Sequence, residues 1–323
     1  MKLLKQVYAL HHQKIKDLLS KATLHANPAI WLYLNDLRTP IFMLEATSRV
    51  CEKVYDDACF STMRLQYKAV EDALGGLDFY AVFVKDFEAK SNIPNVVKQY
   101  LTEQAAQKAK NLNQLLTKDG WLSGEQLAKI ELQLKSVEWR KEPKERQKLA
   151  KFYAKQIDET IEFTYSTEFT FKHIEEVHEI RRRIRWLSIY PQALQGVFKF
   201  DETDTKPTSE QEKYLTDGVK KSPFNVMPTT LSVENPILLN KNCFLTLSWL
   251  IAELGDLKDD GLGVEVVKEA VQNTAFLKDA AAYAEAYKVL GKEQVPLDAL
   301  ISTSATVIKK YFDEGDLKGL LAI

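Results

Sequence analysis

His178, Arg181, Arg182 and Arg185 are spaced so that they could act together on one ligand. On an α-helix, at about 100° per residue, these four fall within one stripe about 100° wide, and Arg183 lies on another face. Three guanidiniums on one stripe repel one another unless something anionic sits among them, and their donor forks match phosphate oxygens. The same residues admit an intramolecular reading, in which the arginines pair with Asp78, Asp259 or glutamates between bundles. His178 reads either as a histidine hydrogen-bonded across a bundle or, when protonated, as a donor to phosphate.

Other chemistries lack their residues. Glu175-x-x-His178 has the spacing of one di-iron ligand pair, but no second Glu-x-x-His accompanies it, so no metal site is expected. No phosphate-binding loop, dinucleotide fingerprint, nucleophile elbow or zinc-protease motif occurs, and Gly261-Leu262-Gly263 lacks a third glycine and a preceding strand. An enzyme is therefore not expected, nor any cofactor. His11 and His12 read as a helix surface, and Arg64 and Lys68, four apart, either extend a basic groove or form a solvated face.

The elements that must position these residues are helical. The 323 residues include only 12 Gly and 10 Pro, fewer than an average chain carries, which favours long uninterrupted elements. With 44 Lys+Arg against 45 Asp+Glu the net charge is -1, so any anion site is a local cluster and no specific nucleic-acid partner is expected. Three cysteines, Cys51, Cys59 and Cys243, form no CxxC pair and fit no disulfide framework. The N-terminus lacks the apolar core of a signal peptide, and the best apolar run, Phe244 to Leu254, is too short to span a bilayer; a cytoplasmic protein without a membrane partner is the expectation.

Three-four spacing of Leu3, Val7, Leu10, Lys14, Leu18 and Ala22 predicts a first helix. A second follows from Ile30 to about Asp57, with Pro40 starting a turn or kinking it. A third runs from Ser61 to Leu74 and a fourth from Leu77 to Phe87, with Gly75-Gly76 at their junction or inside one tightly packed helix. Helices follow over Pro94–Leu116, from the cap Ser123-Gly124-Glu125-Gln126 to about Arg140, and over Glu142–Ile161; Ile161–Phe171 alternates as a short strand would. A helix from His173 to Ile189 is ended by Pro191. The stretch from Asp201 to Asn242 holds four of the prolines behind the acidic run Asp201–Asp204 and reads as an irregular insertion. Helices resume over Cys243–Leu254, Val264–Lys278, Ala280–Leu290 and Leu297–Phe312.

Two stretches echo one another. Asn35-Asp36-Leu37-Arg38 matches His178-Glu179-Ile180-Arg181, and Leu74-Gly75-Gly76-Leu77-Asp78 matches Leu254-Gly255-Asp256-Leu257-Lys258-Asp259. The interval is 39 residues in the first copy and 76 in the second, an excess close to the 40 residues from Asp201 to Asn240. A duplicated helical unit with a loop inserted in copy two accounts for both intervals. The expected fold is all-α, two pseudo-repeated antiparallel helical bundles, the first over residues 1–140 and the second over 141–323 with an insertion at about 201–240. Arg38 should then occupy the position in one bundle that Arg181 occupies in the other.

The His178–Leu187 stretch resembles the H-x-x-R-x-x-x-R helix of the CHAD domain, a conserved-histidine α-helical family, and the two LG segments resemble the LG-x-x-x-D segment that follows in each of its halves. The resemblance covers roughly Val7 to Phe312. It implies non-catalytic binding of inorganic polyphosphate in a basic groove, often at polyphosphate granules, with Arg38, His178, Arg181, Arg182 and Arg185 as ligand-binding residues. The E-x-E-x-K motif of the triphosphate-processing partners of such domains is absent. The sequence departs from the family by placing Asn35 at the first histidine position and Thr39, Pro40, Phe42, Met43 and Glu45 where arginines are expected; Trp186 and Ser188 replace basic residues in the second copy. A divergent helical scaffold that binds a protein partner, its polyphosphate groove lost, is the competing expectation.

Overall fold

The computed structural model describes residues 2–201, 203, 206–291, 294–314 and 316–322. Among them the chain is all-α, with thirteen α-helices and two three-residue strands. Two compact units result: one comprises Tyr8–Trp139 and Leu262–Gln294 and contains Arg38, the other Met1–Val7, Arg140–Gly261 and Val295–Ile323 and contains His178 and Arg181. Among the described residues no helix is long and apolar enough to cross a membrane.

The first helix, α1, spans Leu3–Ala22 as its periodicity predicts. Its buried stripe is rotated from the expected one: Leu3, Val7, His11, Ile15 and Leu19 are buried together with Leu4, Tyr8 and His12, while Lys14 is exposed. His11 and His12 are thus interior residues and not a helix surface.

The expected second helix is two, α2 (Pro28–Leu34) and α3 (Arg38–Tyr55). Asn35–Leu37 breaks it, with Asp36 in the left-handed region at φ 56° and its carboxylate accepting from the Thr39 hydroxyl at 2.8 Å. Pro40 sits in the first turn of α3, where the missing N–H has no helical acceptor to lose. Conversely, α4 runs unbroken from Ala58 to Glu88 through Gly75-Gly76. The helices α5 (Asn95–Lys118) and α6 (Glu125–Ser136) complete the N-terminal part of the Arg38 unit. Its core joins the Tyr8 hydroxyl to Ser48 Oγ at 3.1 Å and Tyr67 at 3.2 Å, with Trp139 packed edge-on to Tyr55 and Phe60.

In the Arg181 unit, α7 (Glu142–Ser166) takes in the first part of the stretch Ile161–Phe171 expected as a strand, and Thr167–Phe169 follow as a turn. Ile157, Thr160 and Thr164 are buried at helical spacing, and the Thr160 and Thr164 hydroxyls donate to the carbonyls of Gln156 and Thr160. Packing on one helix face therefore overrides the β-propensity of the alternation. Next, α8 (Ile174–Ala193) continues past Pro191 instead of ending there. A proline leaves the carbonyl four residues back without its helical donor; here that is Leu187, whose carbonyl accepts from the Tyr153 hydroxyl at 2.7 Å.

Before Ile237, the described residues of the proline-rich stretch form only short elements: α9 (Ser209–Glu212), α10 (Asp217–Lys221) and a 3-10 turn at Pro223–Asn225. Of its acidic lead-in, Glu202 and Asp204 lie outside the described residues. Strands β1 (Phe198–Phe200), just before it, and β2 (Ile237–Leu239), near its end, pair in parallel with Phe198 opposite Ile237.

The sequence predicts two helices over 243–278, yet α11 is one helix from Lys241 to Ala275. An interior glycine costs a helix about 1 kcal/mol but does not end it. At Gly261 the space a Cβ would fill is taken by Ile174 Cγ1 at 3.1 Å and Leu297 Cδ2 at 3.3 Å. The last helices are α12 (Asp279–Leu290) and α13 (Leu297–Asp313).

Candidate functional site

The buried edge of α8 is Val177, Ile180, Ile184 and Leu187, which aims Arg181 from a half-buried position and leaves His178, Arg182 and Arg185 exposed. Arg181 reaches α11. Its Nε donates to the Ile251 carbonyl at 2.9 Å, and its Nη2 lies 2.9 Å from where a Cβ on Gly255 would stand. Only glycine at 255 lets the guanidinium lie on the helix backbone. Among the described residues the Arg181 Nη atoms make no hydrogen bond to protein. Burial pulls the Arg181 pKa below its ordinary value, and the carboxylates of Asp259 and Asp256 act against that shift.

His178 stands one turn before Arg181. Although the residue is solvent-exposed, atoms packed about its ring lower its pKa from 6.5, and the charges of Lys258, Arg181 and Arg182 push the same way. Lys258 belongs to α11, one turn past Gly255, and its Nζ contacts Asp259 at 2.8 Å. Within α8, Glu179 takes both Arg182 at 2.6 Å and Arg183 at 3.3 Å. The Arg183 guanidinium lies 3.6 Å from the Phe163 ring centre, away from the Arg181 seat.

Arg38 belongs to the other unit and has a comparable seat. Its Nη2 lies 2.9 Å from where a Cβ on Gly75 would stand. Here the donors are taken by protein: Nε donates to Glu71 at 2.9 Å and Nη1 to Asp78 at 2.7 Å. Tyr33 donates to the second Asp78 oxygen at 3.0 Å; burial and that carboxylate raise the tyrosine pKa to about 12. Asp78 thus receives Arg38 of its own unit, not one of the α8 arginines for which the sequence offers it, and Asp259 pairs with Lys258.

Arg64 and Lys68 are occupied as well, Arg64 by Glu52 at 2.9 Å and Lys68 by Asp72 at 2.5 Å. Among the described residues no group of three His, Cys, Asp or Glu side chains could hold a metal ion, Glu175 and His178 included.

Lys258 is the member of this cluster that the sequence reading passes over. Its signal lies in the register of the glycines: three residues past Gly75 stands Asp78, and three past Gly255 stands Lys258, not Asp259. Comparison of the chain with family models, with curated proteins and with solved structures finds no match.

Proposed function

We propose that this protein is a non-catalytic polyanion-binding protein, with inorganic polyphosphate as its ligand, and that binding occurs on the α8 face carrying His178, Arg181, Arg182 and Arg185 together with Lys258 of α11. One observation carries the reading. Arg181 is held in place through Nε, and among the described residues its terminal nitrogens have no protein acceptor, while Lys258 of α11 stands close enough to press on the neighbouring His178. Fixed donors with spare capacity are what a chain of phosphates requires, since each charge-assisted contact is worth about 1.5–3 kcal/mol. The ordered motifs resembling the CHAD family support the same ligand class. Arg38, with its donors on Glu71 and Asp78, is a structural ion pair in this reading.

The test is a titration of polyphosphate against the wild type, the triple variant Arg181→Gln/Arg182→Gln/Arg185→Gln, and Arg183→Gln. Wild type and Arg183→Gln should bind alike, and the triple variant should lose affinity by several decades, given about 1.5–3 kcal/mol per contact.

A second reading, a scaffold for a protein partner, draws on one exposed turn. Phe224 and Val226 are 80% and 67% exposed, and their carbonyls are both held by Gln192 Nε2, at 2.9 and 3.1 Å. Two apolar side chains are thus presented outward from an anchored backbone. Failure of polyphosphate to bind the wild type would leave this reading in place.

A further inference from the structure

We infer that the residues four before and three after the helix glycine decide which unit accepts a polyanion, and that the Arg38 seat is an anion site closed by its own carboxylates. The inference rests on the function proposed above. In both units an arginine lies on a glycine, with Nη2 at 2.9 Å from the missing Cβ. Four residues before the glycine stands Glu71 in α4 and Ile251 in α11; three residues after it stands Asp78 in α4 and Lys258 in α11.

These two positions account for the different fates of the arginines. The Glu71 carboxylate reaches Arg38 Nε, while at the matching position Ile251 offers Arg181 Nε only its backbone carbonyl. Asp78 takes Arg38 Nη1 at 2.7 Å. At the matching position Lys258 brings a positive charge close enough to act on His178. A carboxylate and a phosphate offer a guanidinium the same chemistry, anionic oxygens that accept its N–H groups. Glu71 and Asp78 therefore supply from within the chain what a phosphate chain would supply from outside. In one seat two carboxylates bond the arginine directly; in the other, among the described residues, none does, Asp259 being paired with Lys258, which makes Lys258 and Ile251 specificity-determining residues and Glu71 and Asp78 internal stand-ins for the ligand.

The experiment counts sites. Tripolyphosphate is titrated calorimetrically at low salt into the full-length wild type, Glu71→Ile/Asp78→Lys, the isosteric Glu71→Gln/Asp78→Asn, and Lys258→Asp, with folding checked by circular dichroism and melting. The wild type should bind with one site per chain. Either folded double variant should show a second site, weaker in the isosteric one, and Lys258→Asp should weaken the wild-type site by about tenfold or more, the scale of one charged contact. Wild-type binding with no second site in either double variant overturns the inference and leaves the proposed function standing. No binding by the wild type overturns the proposed function itself. A Lys258→Asp variant that binds like the wild type removes Lys258 as a determinant.

Discussion

Arg181 lies on Gly255: its Nη2 stands 2.9 Å from the point a Cβ would occupy, and its Nε is fixed by the carbonyl of Ile251 one turn earlier. Arg38 has the same distance to Gly75, but there two carboxylates of the same helix, Glu71 before the glycine and Asp78 after it, bond the guanidinium. That difference in anchorage makes the glycines unequal under substitution.

Gly76 has only Lys108 Cδ, at 3.8 Å, near its missing Cβ. Gly76→Ala should therefore stabilise the protein by up to about 1 kcal/mol through helix propensity alone. Gly75→Ala gains the same propensity but must displace a guanidinium bonded to Glu71 and Asp78, and should come out destabilised by about 1 kcal/mol. Arg181 is held by a single bond, so Gly255→Ala should change stability little and weaken polyphosphate binding instead. Thermal melts of the three variants, with a titration of the last, check this.

Tyr153 supplies the donor that Pro191 removes from the Leu187 carbonyl. Tyr153→Phe keeps the ring, fully buried beside Phe198, and strands that carbonyl in the interior. A loss of about 1–3 kcal/mol is expected from urea unfolding, the cost of a buried acceptor left unmade. Combining it with Pro191→Ala, which restores the helical donor, should recover much of the loss.

His12 sets a pH dependence. Burial lowers its folded pKa from 6.5, with the Glu131 carboxylate, 3.3 Å from Nε2, acting the other way, and its Nδ1 has no partner. The unfolded chain then binds a proton that the folded chain refuses, so this contribution to stability is fully present above pH 6.5 and falls away as the pH drops below it. His12→Asn should flatten the melting temperature between pH 7 and pH 5 relative to the wild type. His178 is also lowered; a His178→Asn control separates the two.

Much of the helical layout was legible in the residues, and the misses share a cause. The bounds of α1 and the long amphipathic stretches follow from periodicity. Local breakers misled: Gly255, Gly261 and Pro191 all lie inside helices because Arg181, Ile174 and Tyr153 make up from a distance what those residues lack. The break at Asn35–Leu37 went unseen because it depends on the left-handed Asp36 and its bond to Thr39, not on Gly or Pro. Strands β1 and β2, three residues each and far apart in the chain, leave almost no periodic signal. Around Arg181, the helix that carries His178, Arg181, Arg182 and Arg185 could be read, but the partners of the arginines, such as Glu179 for Arg182, could not. That Arg38 is ion-paired to Glu71 and Asp78 while Arg181 Nε meets a backbone carbonyl follows from residues on α4 and α11.

The most direct test of the proposed function is the affinity of the wild type for polyphosphate across a salt series. Binding through a few arginine and lysine contacts releases counterions, so the logarithm of the affinity should fall linearly with the logarithm of salt concentration, with a slope set by the number of contacts. The predicted result is measurable binding at low salt, a shallow slope reflecting one basic face, and collapse of both affinity and slope in the Arg181→Gln/Arg182→Gln/Arg185→Gln variant. No binding by the wild type at the lowest salt, or a slope unchanged in the folded triple variant, would contradict it.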